Sequence, residues 1–198
     1  MKKTVLWVVL GLVVLVVAVV GYSYNDLQRA DEQVEQQWSE VVNQYQRRAD
    51  LIPNLVETVK RYAEHEEGVF VDVAKARQQV NNIQVTPDML NDPQAVAQYQ
   101  NAQGALTQSL GRLIAVAENY PDLKANQTFE NLMTQLESTE NRVTVARNRY
   151  IESVRDYNVL VRTFPGNIAA MIIGMDKKPN FSVANEDAIS TAPKVEFN

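Results

Sequence analysis

The sequence predicts an all-α protein: an N-terminal transmembrane helix, an elongated up-and-down antiparallel four-helix bundle, a short apolar helix after the fourth, and an irregular C-terminal tail. Three observations carry this expectation. Residues 5–22, VLWVVLGLVVLVVAVVGY, hold no charged side chain. Beyond them, apolar residues return every three or four positions over stretches much longer than a strand. Only 7 Gly and 7 Pro occur in 198 residues, too few turn formers for a strand-rich architecture. The predicted organisation is an anchor over 1–23, a bundle over 24–175 and a tail over 176–198.

As a helix the run from Val5 through Val20 to Tyr22 spans roughly 27 Å, close to the thickness of a hydrocarbon core. Trp7 lies near one end and Tyr22 and Tyr24 at the other, where amphipathic rings suit the two headgroup levels. Lys2 and Lys3 precede the run, whereas Asp26, Asp31 and Glu32 follow it. By the positive-inside rule the N-terminus is cytoplasmic and the bundle extracytoplasmic. A cleaved signal peptide is the rival reading, but Ala18-x-Val20 and Gly21-x-Ser23 are poor cleavage sites.

The first bundle helix is expected over 24–48, with Leu27, Val34, Trp38, Val41 and Tyr45 as its stripe. Asp50 then suits an N-cap, and Pro53 falls in a first turn where its missing N–H costs little. A second helix follows through Ile52, Leu55, Val59, Tyr62, Val69, Phe70, Val73 and Val80. Asn and Pro residues between 81 and 93 break it.

Helix three, 94–118, keeps a coiled-coil-like seven-residue repeat: Val96, Tyr99, Gln103, Leu106, Leu110, Leu113, Ala117. NYPDLKANQTF marks the next turn, and helix four runs over 127–164 until Pro165-Gly166 stops it. At about 57 Å that helix is too long for a compact sphere, which makes the bundle elongated. The following segment NIAAMIIGM, with Ile168, Met171, Ile172 and Ile173, is too short to cross a bilayer. It either folds back on the bundle or presents a surface to lipid or to another protomer.

The chemistry is limited by what is missing from the sequence. There is no Cys, hence no disulfide, thiolate nucleophile or thiolate metal site, and the net charge of -5 gives no electrostatic basis for nucleic-acid binding. His65-Glu66 resembles the start of a zinc-protease H-E-x-x-H, but the fifth position is Val69 and His65 is the sole histidine. The same count removes a di-iron site built on paired Glu-x-x-His motifs. A haem on His65 and a Met lacks any attachment Cys. No serine neighbours the histidine and no Gly-rich phosphate loop occurs. The expectation is a chain without cofactor, metal or catalytic residues.

Three charged residues nevertheless fall on the apolar stripes: Glu66 on the second helix, and Glu140 and Arg147 among Leu136, Val143, Tyr150 and Val154 on the fourth. A carboxylate on a buried face must be paired or protonated. Glu66, Glu140 and Arg147 are therefore expected to form an ionic cluster that fixes helix register; the competing reading gives the same residues a catalytic or ion-binding role. The mingled arginines and tyrosines of RNRY and RDYN read as a solvated basic face over core tyrosines, or as a contact with anionic headgroups.

Four blocks in order, QRRADLIPNLVETVKRYAEHE (46–66), AENYPDLKANQTFENL (117–132), LESTENRVTVARNRY (136–150) and VRDYNVLVRTFPGN (154–167), resemble the LemA family of bacterial membrane proteins. The likeness extends from the anchor to about residue 181. It implies an antiparallel four-helix bundle on a single anchor in the bacterial inner membrane, and no established catalytic activity or cofactor. It also implies interaction or membrane-organising roles, since some relatives are associated with internal membrane formation and family genes often lie beside that of a membrane protease. The expected function is a non-enzymatic, self-associating scaffold. Its partners would be the lipid bilayer, further copies of itself, and a membrane protease or other membrane protein, with no nucleic acid.

Overall fold

The computed structural model describes residues 2–181, with side chains from residue 5 onward; most of the expected tail, 182–198, lies outside the described residues. The described chain is helical and contains no strand. Its elements are α1 (Lys2–Lys60), α2 (Glu67–Asn81), a 3-10 turn (Pro87–Asn91), α3 (Pro93–Ala117), the single turn α4 (Pro121–Lys124), α5 (Gln127–Arg162) and α6 (Gly166–Ile173).

The expected helix start at Asp50 does not occur; α1 runs unbroken from the apolar N-terminal segment into the bundle. The Asp50 carboxylate accepts a bond from Gln46 Nε2 at 2.8 Å instead of capping a new helix. Pro53 sits inside α1, and without an N–H it leaves the turn before it one bond short, a cost of about 3 kcal/mol in an isolated helix. Burial of Ala49, Ile52 and Leu55 on either side of it offsets that loss.

The real break lies at 61–66, where AEHEE was expected to continue the second helix. Electrostatics favours a break there. Lys60 closes α1 at its negative C-terminal end, while Glu66 and Glu67 stand at the positive N-terminal end of α2. His65 is an exposed residue of this turn.

Contacts between helices fix the topology. Trp38 meets Tyr150, Arg48 meets Glu140 and Tyr62 meets Asn126, so α1 and α5 run in opposite directions. Trp38 meets Tyr99 while Arg48 meets Thr107, so α3 runs parallel to α1. With α2 descending between them, the order is up, down, up, down, as expected. Two caps set the helix starts: the Asp92 carboxylate accepts from the Gln94 amide, and the Asn126 side chain from the amides of Thr128 and Phe129.

The core is one continuous apolar column from Val34 to Val59 on α1, closed by Ala63 in the turn beyond it and matched by stripes on α2, α3 and α5. Near its anchor end Trp38 packs against Tyr99, Tyr150 and Phe181, with ring centroids 5.7, 5.3 and 6.0 Å away. α5 ends at Arg162, two residues earlier than expected, leaving Phe164 exposed. Gly166 presses on the Leu160 carbonyl oxygen where any Cβ would collide, which lets α6 fold back against α5 and α1.

Candidate functional site

α1, α3 and α5 enclose a groove whose floor is Arg48. The guanidinium is 2% exposed and reaches three partners. Its Nη1 donates to Thr107 Oγ1 at 2.9 Å and to Glu140 Oε2 at 3.0 Å, and its Nη2 donates to Gln103 Oε1 at 2.6 Å. It also lies over the Tyr45 ring, 5.1 Å from the centroid. Arg48 thereby bridges three helices. On one side of the bridge is a cleft of about 340 Å³, with Gln100, Asn101 and Arg147 at its wall. On the other is a more apolar cleft of about 360 Å³, lined by Leu110, Ile114, Met133 and Leu136.

Of the expected ionic cluster, Glu140 and Arg147 share the first cleft. Glu66 does not: it stands at the start of α2, at the far turn. Glu140 is 48% exposed, because the buried seam of α5 passes through Thr139, Ala146 and Ser153 instead of Glu140 and Arg147. Arg147 stacks on Phe181, 4.9 Å from the ring centroid. The arginine that pairs with Glu140 is Arg48, which stripe reading overlooked. Its signal was present nonetheless, since 38, 41, 45, 48, 52, 55 and 59 keep one alternating spacing of three and four.

Residues 176–181 have no regular secondary structure, as expected, but they are firmly docked. The hydroxyls of Tyr157 and Tyr150 donate to the carbonyls of Asp176 and Pro179. The Lys178 amide donates to Asn158 Oδ1 at 2.9 Å, and its buried ammonium pairs with Asp31 at 2.7 Å. Phe181 finishes this strap inside the Trp38–Tyr150 aromatic group.

Burial raises the pKa of every tyrosine in this region. Tyr99 rises to about 12, burial outweighing the opposing influence of neighbouring Gln103. Tyr157 also rises to about 12, pushed further by Asp31 and Asp176. Tyr150 rises through burial alone. Tyr45 rises by burial, opposed by the positive charges of Arg147 and Arg48. All four are neutral at ordinary pH, and Tyr150 and Tyr157 donate through their hydroxyls.

Val5, Trp7 and Tyr22, expected in the anchor, are exposed on a helix long and apolar enough to cross a membrane. Val20 is partly covered, because α6 lies on α1 there. α6 buries Ala169 and Ala170 and turns Ile168, Met171, Ile172 and Ile173 outward.

The family model of the LemA family matches residues 37–197. Magnetosome protein MamQ 2 of Paramagnetospirillum magneticum is 27% identical over 185 residues, covering 85% of this chain and 68% of that protein. Magnetosome protein MamQ of Magnetospirillum gryphiswaldense is 28% identical over 152 residues, covering 69% of this chain and 56% of that one.

Proposed function

Since the chain belongs to the LemA family, we propose that it is a non-enzymatic, single-pass protein of the bacterial inner membrane whose bundle is a self-associating scaffold. The N-terminus is cytoplasmic and the bundle extracytoplasmic. The observation that carries this reading is α1, which passes without a break from an exposed apolar segment into the centre of the bundle core. The groove supports it as well. Arg48, its most buried charge, is committed to Gln103, Thr107 and Glu140, holding helices together instead of waiting for a substrate. Partners in this reading are the bilayer, further copies of the chain, and a membrane protease or other membrane protein.

A second reading, an enzyme or ion-binding bundle, draws on the open cleft that joins Glu140 to Arg147. Without Glu66 it keeps one acid and two guanidiniums. The mass of the detergent-extracted protein, with whatever copurifies, separates the two. The scaffold predicts a homo-oligomer or a complex with another membrane protein. A lone 22.3 kDa chain carrying a stoichiometric metal or small molecule would overturn it.

A further inference from the structure

We propose that α6 is an interfacial membrane helix, whose outer face of Ile168, Met171 and Ile172, together with Phe164, enters the leaflet beside the anchor. The inference rests on the anchor proposed above and adds a second lipid contact that the anchor alone does not require.

Placement is the first argument. α6 packs through Ala169 and Ala170 onto Leu27, with Val20 and Leu160 at its edges. Val20 and Leu27 lie about 10 Å apart along a helix axis and bracket Tyr22, the end of the apolar run, and Asp26, the first charge after it. The short helix is therefore held at the height where the anchor leaves the hydrocarbon and enters the headgroups.

Composition is the second. GNIAAMII carries no charge, and the side turned away from α1 is open: Phe164 is 76% exposed, Met171 81% and Ile172 68%. Elsewhere on the bundle the large exposed apolar side chains are scattered, as Val71 and Val145 are. Four such residues together at one end make a patch that water solvates poorly, at about 25 cal/mol per Å² of apolar surface.

The third argument selects the occupant. Val16 and Val17 are exposed on the anchor one turn before Val20, on which α6 packs, so the medium that solvates the anchor also reaches α6. The exposed cations Arg162 and Lys177 flank the helix on either side in the sequence, matching a headgroup layer around an immersed apolar face. At roughly 12 Å, α6 is too short to span a bilayer and suited to lying in its surface.

The chain has no cysteine, so single-cysteine variants of the full protein can be labelled cleanly. V13C reports the anchor, E64C the far turn, and F164C and M171C the proposed face. Each carries an environment-sensitive fluorophore, in vesicles of phosphatidylcholine and phosphatidylglycerol containing lipids with nitroxides on their acyl chains. The expected result is a blue-shifted emission at 164 and 171 that nitroxide lipids quench, as at 13, while the label at 64 is quenched by aqueous iodide alone. Labels at 164 and 171 that behave like 64 while 13 remains in lipid would overturn the proposal and leave the anchor standing. Protection from both quenchers, with energy transfer between copies, would assign the face to a second protomer and overturn it too. A label at 13 open to iodide would defeat the anchor and this proposal together.

Discussion

Arg48 and Glu140 meet at 3.0 Å between α1 and α5, yet water reaches only one of them: the arginine is 2% exposed and the carboxylate 48%. The pair is therefore asymmetric. Glu140→Gln keeps an acceptor oxygen for the guanidinium but takes away its half-screened countercharge, and should cost about 1–2 kcal/mol. Arg48→Met takes the donor from the buried Gln103 oxygen and from Thr107, and should cost on the order of 2–3 kcal/mol. The double variant should be little worse than Arg48→Met alone, because both remove the same contact. Urea unfolding of the detergent-solubilised protein measures all three; a Glu140→Gln loss larger than that of Arg48→Met would mean the carboxylate dominates.

Asp31→Asn should loosen the strap before it harms the bundle. Lys178 would keep a buried ammonium with neutral neighbours: the new amide oxygen, Asn91 at 3.5 Å and the Tyr157 ring at 5.6 Å. A penalty on the order of 2 kcal/mol corresponds to about thirtyfold faster opening. Hydrogen exchange at the Lys178 amide, now bonded to Asn158, is the direct readout. Unchanged exchange there would show that the tyrosine and asparagine bonds alone hold the strap.

The buried tyrosines predict how alkali unfolds the protein. A free tyrosine ionises near pH 10, whereas Tyr99 and Tyr157 are held up to about 12 in the folded state. The unfolded chain thus loses these protons first. The stabilisation is whole below pH 10 and drains away as the pH climbs towards 12. Tyrosinate absorbance should rise in two phases, with the second coinciding with loss of helical circular dichroism. A single early phase with the helix signal intact would contradict the burial described for them.

Pro53→Ala should stabilise the protein. Pro53 is exposed, so the substitution removes no core packing, and it restores an N–H that the Ala49 carbonyl can accept. The gain should be about 1–3 kcal/mol, read as a higher thermal midpoint. A drop in the midpoint would show that α1 needs the missing bond there.

The legible parts of the fold were those where apolar residues repeat in register. Val96 through Ala117 on α3, and Leu136, Val143, Tyr150 and Tyr157 on α5, are buried as their spacing implies. Misreadings arose where a local signal competed with register. Asp50 and Pro53 look like a helix start, but the stripe through Tyr45, Arg48, Ile52 and Leu55 continues past them in phase, and tertiary burial prevails. On α5 the tight seam is made by Thr139, Ala146 and Ser153, small residues that hydrophobicity alone does not mark as core. Glu140 and Arg147 were accordingly placed one residue too deep. The docking of Phe181 onto Trp38 links positions far apart in sequence, and no local pattern encodes it.

An unbroken α1 also makes the protein a lever. From Tyr22 to Lys60 the helix is about 57 Å long, so on the anchor proposed above a tilt of roughly 20° would swing the far turn sideways by about 20 Å. Transmembrane tilt depends on how well the apolar length matches the bilayer. With such an anchor, the sideways position of the turn that carries His65 would follow the local thickness of the bilayer.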